Sequence, residues 1–285
     1  MCEILHGASA AAALTDSLKA KCEYLRSRGI VPKLAIVRVG ARDDDVAYER
    51  AAMRRCEKIG IAVLQVLLPE NCEKSTLLDA IDRVNNDTSI HGCLLFRPLK
   101  DREMETAARD RLLPEKDVDG MTRISQAHVF TGSGVGFAPC TAEACIRLLE
   151  HYAIPIEGKR VVILGRSLVV GKPLAMLMLA ENATVTICHS RSVDEQKIAK
   201  QADILVAALG KAEHVDASYL SEQQIVLDVG IHEREDGTLC GDVRSEDAAA
   251  IAKAYAPVPG GVGSMTTTIL AEHVIRACEN IACKQ

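Results

Sequence analysis

The chain has 285 residues, room for two modest domains, and 48% of them are apolar, which excludes a disordered polypeptide. Aromatic residues make up only 3%, with no Trp and three Phe, so the core must be aliphatic and a ring platform for nucleobases or sugars is not expected. Thirty-four basic against thirty-nine acidic residues give a net charge of −5, which carries no general attraction for a phosphate backbone, and no nucleic acid is expected as a partner.

The N-terminal run MCEILHGASAAAALTDSLKAKCEYL mixes acids and bases into its apolar residues and reads as an amphipathic helix, not a signal peptide. Strands and helices then alternate. A strand is expected over Lys33–Val39, a helix over about Asp45–Lys58 closed by Gly60, and a strand over Ala62–Leu68 stopped by Pro69. A helix over Ser75–Asn85 with Ser75 as N-cap and a strand over Gly92–Leu99 complete a β-α-β-α-β order, the pattern of a parallel sheet. Ser125–Ala138 has no usable period, and the glycines of TGSGVGFAP mark a loop or interdomain crossing. A helix over Thr141–Tyr152, capped by Thr141, opens a second series. Its strands are Arg160–Leu164, Thr184–Cys188, Ile204–Ala207 and Ile225–Val229, with helices from Pro173 and up to Lys200. A last helix, about Met265–Cys278, follows a Gly-rich turn. Two α/β domains are expected.

Eleven cysteines are an odd number without any C-x-x-C spacing; the nearest pairs, Cys140/Cys145 and Cys278/Cys283, are five apart. No His stands at ligand spacing, so no metal site is expected, and the cysteines read as free thiols packed as small hydrophobes in a reducing cytoplasm. No run reaches the roughly 18 apolar residues of a membrane span, and no membrane partner is expected.

The segment KRVVILGRSLVVGKPLAMLMLAENA reads as strand, glycine turn and helix, with Gly165 in the turn, Gly171 a second permissive point and Pro173 in the first helical turn. A helix N-terminus facing such a turn suits a pyrophosphate. The Gly165–Gly171 spacing is not G-x-G-x-x-G, so this motif alone leaves an ordinary βα turn open. The next strand, TVTIC, ends in His189-Ser190-Arg191 with no acid before Asp194. Arg191, Ser190 and Arg166 together suit the 2′-phosphate of NADP better than a bare ribose diol; a solvated basic loop is the alternative.

The motifs PEKDVDG (Pro114–Gly120), PCTAEACIRLLEHY (Pro139–Tyr152), GRSLVVGKP (Gly165–Pro173), TVTICHSRS (Thr184–Ser192), DVGIH (Asp228–His232), GDV (Gly241–Val243) and PVPGGVGSMT (Pro257–Thr266) occur in one order along the chain. In these, and over essentially its full length, the chain resembles the methylenetetrahydrofolate dehydrogenase/cyclohydrolase family. The resemblance implies two α/β domains flanking a cleft: a folate-binding catalytic domain over 1–139 plus 269–285, and an NADP-binding Rossmann-type domain over 140–268. It implies NADP-dependent oxidation of 5,10-methylenetetrahydrofolate to the methenyl form in one-carbon metabolism, followed in bifunctional members by hydrolysis to 10-formyltetrahydrofolate. A cytoplasmic homodimer is implied as well. Gly165, Arg166 and Ser167 match the pyrophosphate turn, with Arg166 and Ser190 on the 2′-phosphate. Ile231 matches a residue beside the nicotinamide, and Pro259, Gly260, Gly261, Val262 and Gly263 a loop shaping the substrate cleft. Tyr48 and Asp119 match the catalytic and substrate-binding positions of the first domain. Asp119 matches the carboxylate that holds the pterin, where two N–H groups of the aminopyrimidinone edge suit a bidentate acceptor. A loop acid capping a turn is the plain alternative for Asp119.

Two family positions in the first domain are changed. The family helix carries S-x-x-Y-x-x-x-K; here Asp45 replaces the Ser, Tyr48 is kept and Ala52 stands in place of the Lys. The family strand VQLPL reads Leu95-Phe96-Arg97-Pro98-Leu99, so Phe96 replaces the Gln. Losing both polar partners at once avoids leaving either unsatisfied. Hydride loss from the methylene carbon needs positioning, whereas ring opening by water needs proton handling, so the dehydrogenase is expected to be retained and the cyclohydrolase to be weak or absent. A fully bifunctional enzyme and a non-catalytic folate or NADP sensor are the alternatives. Arg55 is expected two turns from Tyr48, and Arg97 on the opposite strand face from Phe96. Asp45 is expected to cap its helix, and Ser264, where the family has Pro, to loosen its loop.

Overall fold

The structure, a computed structural model, describes residues 2–282; Met1 and residues 283–285, Cys283 among them, lie outside the described residues. In chain order the first elements are β1 (Glu3–Ile4), α1 (Gly7–Ser27), β2 (Lys33–Val39), α2 (Asp43–Ile59), β3 (Ala62–Leu68), α3 (Lys74–Asn86) and β4 (Gly92–Leu95). They are followed by α4 (Arg102–Arg111), α5 (Arg123–Thr131), α6 (Cys140–His151), β5 (Arg160–Leu164), α7 (Gly171–Ala180), β6 (Thr184–Cys188) and α8 (Glu195–Ala199). The remainder is β7 (Ile204–Ala207), β8 (Ile225–Asp228), β9 (His232–Glu233), β10 (Leu239–Cys240), α9 (Ser245–Ile251), β11 (Ala254–Ala256) and α10 (Thr266–Ala282). The chain forms two compact units: residues up to Ala12 with Thr141–Thr266, and Ala13–Cys140 with the chain from Thr267 onward.

The second of these is built on a three-stranded parallel sheet in the order β3-β2-β4, with Leu34 opposite both Val63 and Gly92. The central β2 is buried along Leu34–Arg38, which is why Leu34–Val37 reads as an unbroken apolar run. Ala35, Val37, Leu77, Ile81, Leu95 and Met104 form an aliphatic core with α3 and α4. Helix α2 begins with three acids, Asp43, Asp44 and Asp45, favoured by the positive helix end, and stops at Gly60 in the left-handed conformation. Its buried Glu49 accepts from Arg38 Nε at 2.6 Å and from the Gln65 amide, tying α2 to β2 and β3. That tie fixes the face on which Tyr48 and Ala52 stand.

The other unit carries a six-stranded sheet in the order β1-β11-β8-β7-β5-β6, every neighbouring pair parallel. Val162, Leu164, Leu205, Ala207 and Val226 supply its core, with Tyr255 beneath. From β5 the chain steps to β6 at the edge and then returns to β7 on the other side. This reversal opens a crevice beyond the carboxyl ends of β5 and β7, the place where doubly wound sheets bind ligands.

Four local expectations are corrected. Residues 123–131 are helical: Thr122 Oγ1 accepts the Ser125 N–H at 3.1 Å, and Gly132 closes α5 in the left-handed region. The helix shows no apolar stripe because Ile124 and Phe130 are both exposed, which hid it. Strand β4 ends at Leu95, not Leu99. Ser75 lies inside α3, whose N-cap is Glu73 without a side-chain cap bond. Residues before Ala12, expected with the first domain, belong to the six-stranded unit. There Glu3 and Leu5 donate to Lys253 O and Tyr255 O at 2.9 and 2.8 Å, a ladder too short for sequence periodicity to reveal.

The ten described cysteines are free thiols. Burial pushes Cys56, Cys93 and Cys145 up to about 12, which leaves them unreactive core residues. No helix among the described residues is long and apolar enough to cross a membrane.

Candidate active site

In the six-stranded unit, Gly165 ends β5 at φ +117, and a Cβ there would meet Ala208 O at 2.1 Å. Only glycine lets this turn lie on the chain leaving β7. The start of α7 packs as closely, since a Cβ on Gly171 would meet Gly165 O at 2.2 Å; close approach, not a special φ, explains that glycine. No side chain caps α7. A cavity of about 230 Å³ occupies the crevice, and Gly165, Arg166, Ser167 and Ser190 line it. Arg166 is exposed and makes no ion pair among the described residues. Arg191 does not line the cavity; its backbone N–H donates to His189 Nδ1 at 3.1 Å and its side chain is exposed.

Six further residues line this cavity: His189, Glu195, Ala208, Leu209, Lys211 and His214. One carboxylate oxygen of Glu195 is buried without a hydrogen-bond partner. Lys211 and His214 come from the loop after β7, which strand order alone brings to β5 and β6. Sequence spacing carries no signal for them.

That loop is held by a pair of fully buried carboxylates. Asp242 accepts from the N–H groups of Gly210 at 3.1 Å and Lys211 at 2.8 Å, and also from Leu209 and from His232 Nε2. Asp228 accepts from the N–H groups of Asp242 at 2.9 Å and Val243 at 3.0 Å. A Cβ on Gly241 would lie 1.9 Å from Asp228 Oδ2, and one on Gly230 2.3 Å from Asp242 Oδ1. The DVGIH and GDV motifs are thus two halves of one clasp. Burial pushes the Asp228 carboxyl up to about 7 against the pull of its N–H donors.

Ile231 is exposed beside the clasp, and a Cβ on Gly263 would lie 3.7 Å from its Cδ1, so two of the predicted groups meet here. The Pro259–Gly263 loop is pinned through Gly260 O, which accepts from Gly7 N–H at 2.9 Å, and through Gly261 N–H, which donates to Pro257 O at 2.7 Å. Ser264 donates its N–H to Gly261 O at 3.1 Å and closes the turn, a bond that proline cannot make. The expectation that Ser264 loosens the loop is therefore corrected.

In the three-stranded unit, Tyr48 and Phe96 meet edge to face with ring centroids 6.0 Å apart. Ala52, one turn along α2, is completely buried. Arg97 lies beyond the end of β4, so strand alternation does not govern it; its Nη2 reaches Asp119 Oδ2 at 3.2 Å. Tyr48 and Asp119 thus each meet one of two consecutive residues, Phe96 and Arg97. Arg55 donates to Thr15 Oγ1 at 2.8 Å instead. Asp45 does not cap α2, whose N-cap is Arg42; it accepts from Arg42 at 3.0 Å while the same guanidinium donates to Pro98 O at 3.1 Å. This ties the start of α2 to the segment bearing Phe96 and Arg97. Asp119 is not the turn cap: the neighbouring Asp117 accepts the N–H groups of Met121 at 2.9 Å and Thr122 at 2.7 Å. Buried Lys116 donates to Val84 O, Asn85 O and Asp87 O at 2.6, 2.9 and 2.7 Å, fixing the loop from the other side. A cavity of about 410 Å³ opens nearby along Gly40, Arg42, Asp45, Pro98 and Leu99, lined by none of the predicted site residues.

The catalytic domain of the tetrahydrofolate dehydrogenase/cyclohydrolase family matches residues 5–119, and the NAD(P)-binding domain of the same family matches residues 139–282. The chain belongs to the tetrahydrofolate dehydrogenase/cyclohydrolase family. It is 46% identical to the bifunctional protein FolD of Alkaliphilus oremlandii and to that of Carboxydothermus hydrogenoformans, each alignment covering 98% of both chains. Among solved structures, the FolD methylenetetrahydrofolate dehydrogenase/cyclohydrolase of Campylobacter jejuni superposes with a TM-score of 0.94 at 35% identity, covering 98% of this chain and 99% of that one. The Trypanosoma brucei enzyme, solved with NADP and an inhibitor, gives 0.90 at 30% identity over 98% of both chains. As a family member the chain carries an NAD(P)-binding domain of doubly wound type.

The clasp gives this domain a pH signature. Unfolded, the Asp228 carboxyl ionises at its ordinary value of about 4; folded, it does so at about 7. Between those values the folded state holds more protons, so this group lowers stability as pH rises from about 4 to about 7. Thermal unfolding of Asp228→Asn across that range should show a flatter decline than the unmodified protein. An identical slope in the two proteins would mean that Asp228 is ionised throughout.

Proposed function

We propose that the chain is an NADP-dependent 5,10-methylenetetrahydrofolate dehydrogenase whose methenyl-hydrolysing activity is weak or absent. The reading takes the folate half from the three-stranded unit and the dinucleotide half from the six-stranded one. It includes a cytoplasmic homodimer, on the strength of the family resemblance. The observation that carries the second half of the proposal is that Ala52, one turn along α2 from Tyr48, is buried, and that the buried Phe96 meets the Tyr48 ring edge to face.

The glycine turn at Gly165, the uncapped start of α7 and the unpaired Arg166 fit a dinucleotide. Gly165, Arg166 and Ser167 would hold the pyrophosphate end, Arg166 and Ser190 the 2′-phosphate, and Ile231 the nicotinamide side. Bound NADP supplies the hydride acceptor. Asp119 accepts the two N–H groups of the aminopyrimidinone edge and so fixes the pterin. Tyr48 and the Pro259–Gly263 loop complete the substrate contacts. Because a folate nitrogen lone pair drives hydride departure, the protein contributes position and no obligatory base. Hydrolysis of the methenyl ring asks more, since a water must be oriented and protons moved at a tetrahedral carbon. Neither Ala52 nor Phe96 can do either.

The test follows the methenyl product by absorbance with and without enzyme, with NADP and NAD run in parallel. Hydride transfer at an ordinary enzymatic rate should appear, with NADP preferred, while methenyl decay should run about 10²-fold or more below the dehydrogenase rate. Enzyme-driven decay that keeps pace with oxidation would overturn the loss of hydrolysis, and absence of oxidation would overturn the enzyme reading in favour of a sensor. Ala52→Lys combined with Phe96→Gln should raise methenyl hydrolysis.

Cofactor preference has a paired test. Arg166→Ala should raise KM for NADP by about tenfold or more and leave KM for NAD nearly unchanged, as loss of a charge-assisted contact requires. Glu195→Gln, which removes a carboxylate from the same cavity, should lower KM for NADP by a few-fold relative to NAD. Equal effects on both cofactors would place the 2′-phosphate elsewhere.

A further inference from the structure

We infer that Arg97 and Asp119 read the pterin edge as one unit, Arg97 donating to the 4-oxo oxygen while Asp119 accepts from N3–H and the 2-amino group; this rests on the folate reading above. Arg97 stands where the resembling family has an apolar residue. Its side chain and that of Asp119 remain 21% and 25% exposed, so the pair faces outward rather than into the core. A partly exposed ion pair adds little to stability, which leaves its placement on the pterin-binding carboxylate to be explained by binding.

The donor pattern explains it. Along one edge a reduced pterin presents an acceptor, a donor and a donor: O4, N3–H and the 2-amino group. Arg97 followed by Asp119 presents a donor, an acceptor and an acceptor. The fork of Arg97 is only partly used, because Nη2 serves Asp119 Oδ2 while Nη1 makes no hydrogen bond among the described residues. Asp119 Oδ1 has no hydrogen-bond partner among the described residues, and each carboxylate oxygen has a second lone pair to offer. The Asp119 loop is immobilised by Asp117 and Lys116, and the Arg97 segment by Arg42 on Pro98 O, so both partners are held before ligand arrives. Arg97 is then a specificity residue: it touches the ring remote from the reacting carbon.

Arg97→Leu and Arg97→Lys test this by steady-state kinetics and by equilibrium binding of tetrahydrofolate and its 4-amino counterpart. For Arg97→Leu, KM for methylenetetrahydrofolate and Kd for tetrahydrofolate should rise about tenfold, with kcat and KM for NADP changed less than about threefold. Binding of the 4-amino compound, which has no oxygen for Arg97 to meet, should barely change, so the preference for the 4-oxo form falls about tenfold. Arg97→Lys should recover part of that preference. An equal loss for both compounds would reduce Arg97 to a holder of Asp119 and overturn the inference, as would unchanged KM and Kd. A wild-type chain that binds tetrahydrofolate through Arg97 yet transfers no hydride would sink the dehydrogenase reading and leave this one standing.

Discussion

A backbone N–H drawn out of water must find an acceptor, and beyond the carboxyl ends of both sheets the acceptors are buried aspartates. Asp117 gathers Met121 and Thr122, Asp242 gathers Leu209, Gly210 and Lys211, and Asp228 gathers Asp242 and Val243. Each spans a loop that carries candidate site residues, so those side chains are positioned by buried carboxylates. The arrangement has a cost, visible in Asp228, whose burial raises its affinity for a proton. It also dictates glycine at 230 and 241, since the carboxylates occupy the space of their Cβ atoms.

The parts of this architecture that sequence periodicity can express were legible. β2 announces itself because both its faces are covered, and the β5–turn–α7 unit because Gly165 interrupts a buried strand at its end. What escaped had no periodic signature: α5, whose apolar residues point to solvent, and β1, two residues long. The candidate residues Tyr48, Asp119, Gly165 and Arg166 are legible because they lie in local motifs. Glu195, Lys211 and His214 were not, because a parallel sheet assembles its crevice from loops far apart in sequence, and only the order β7-β5-β6 says which loops meet. The direction of Arg97 is not legible for a different reason. Alternation of side chains holds only within a strand, and β4 stops two residues before it.

Residues 52, 96 and 97 form one coordinated change on the proposed reading. A cation beside a phenol needs a polar neighbour, and removing either alone strands the other in a buried place. Ala52 and Phe96 remove both, and the ring of Phe96 closes edge-on against Tyr48, which converts a polar corner into an aromatic one in a chain with only three Phe. Positive charge does not leave the patch, since Arg97 carries it to Asp119. The two locations are not equivalent chemically. An ammonium beside a phenol can release and recover a proton, whereas a guanidinium holds its protons at any pH the protein survives and can only bind and orient. On the proposed reading, moving the charge from the helix to the segment after β4 exchanges proton transfer for recognition, and oxidation by hydride loss is the half of the family's chemistry that recognition alone can support.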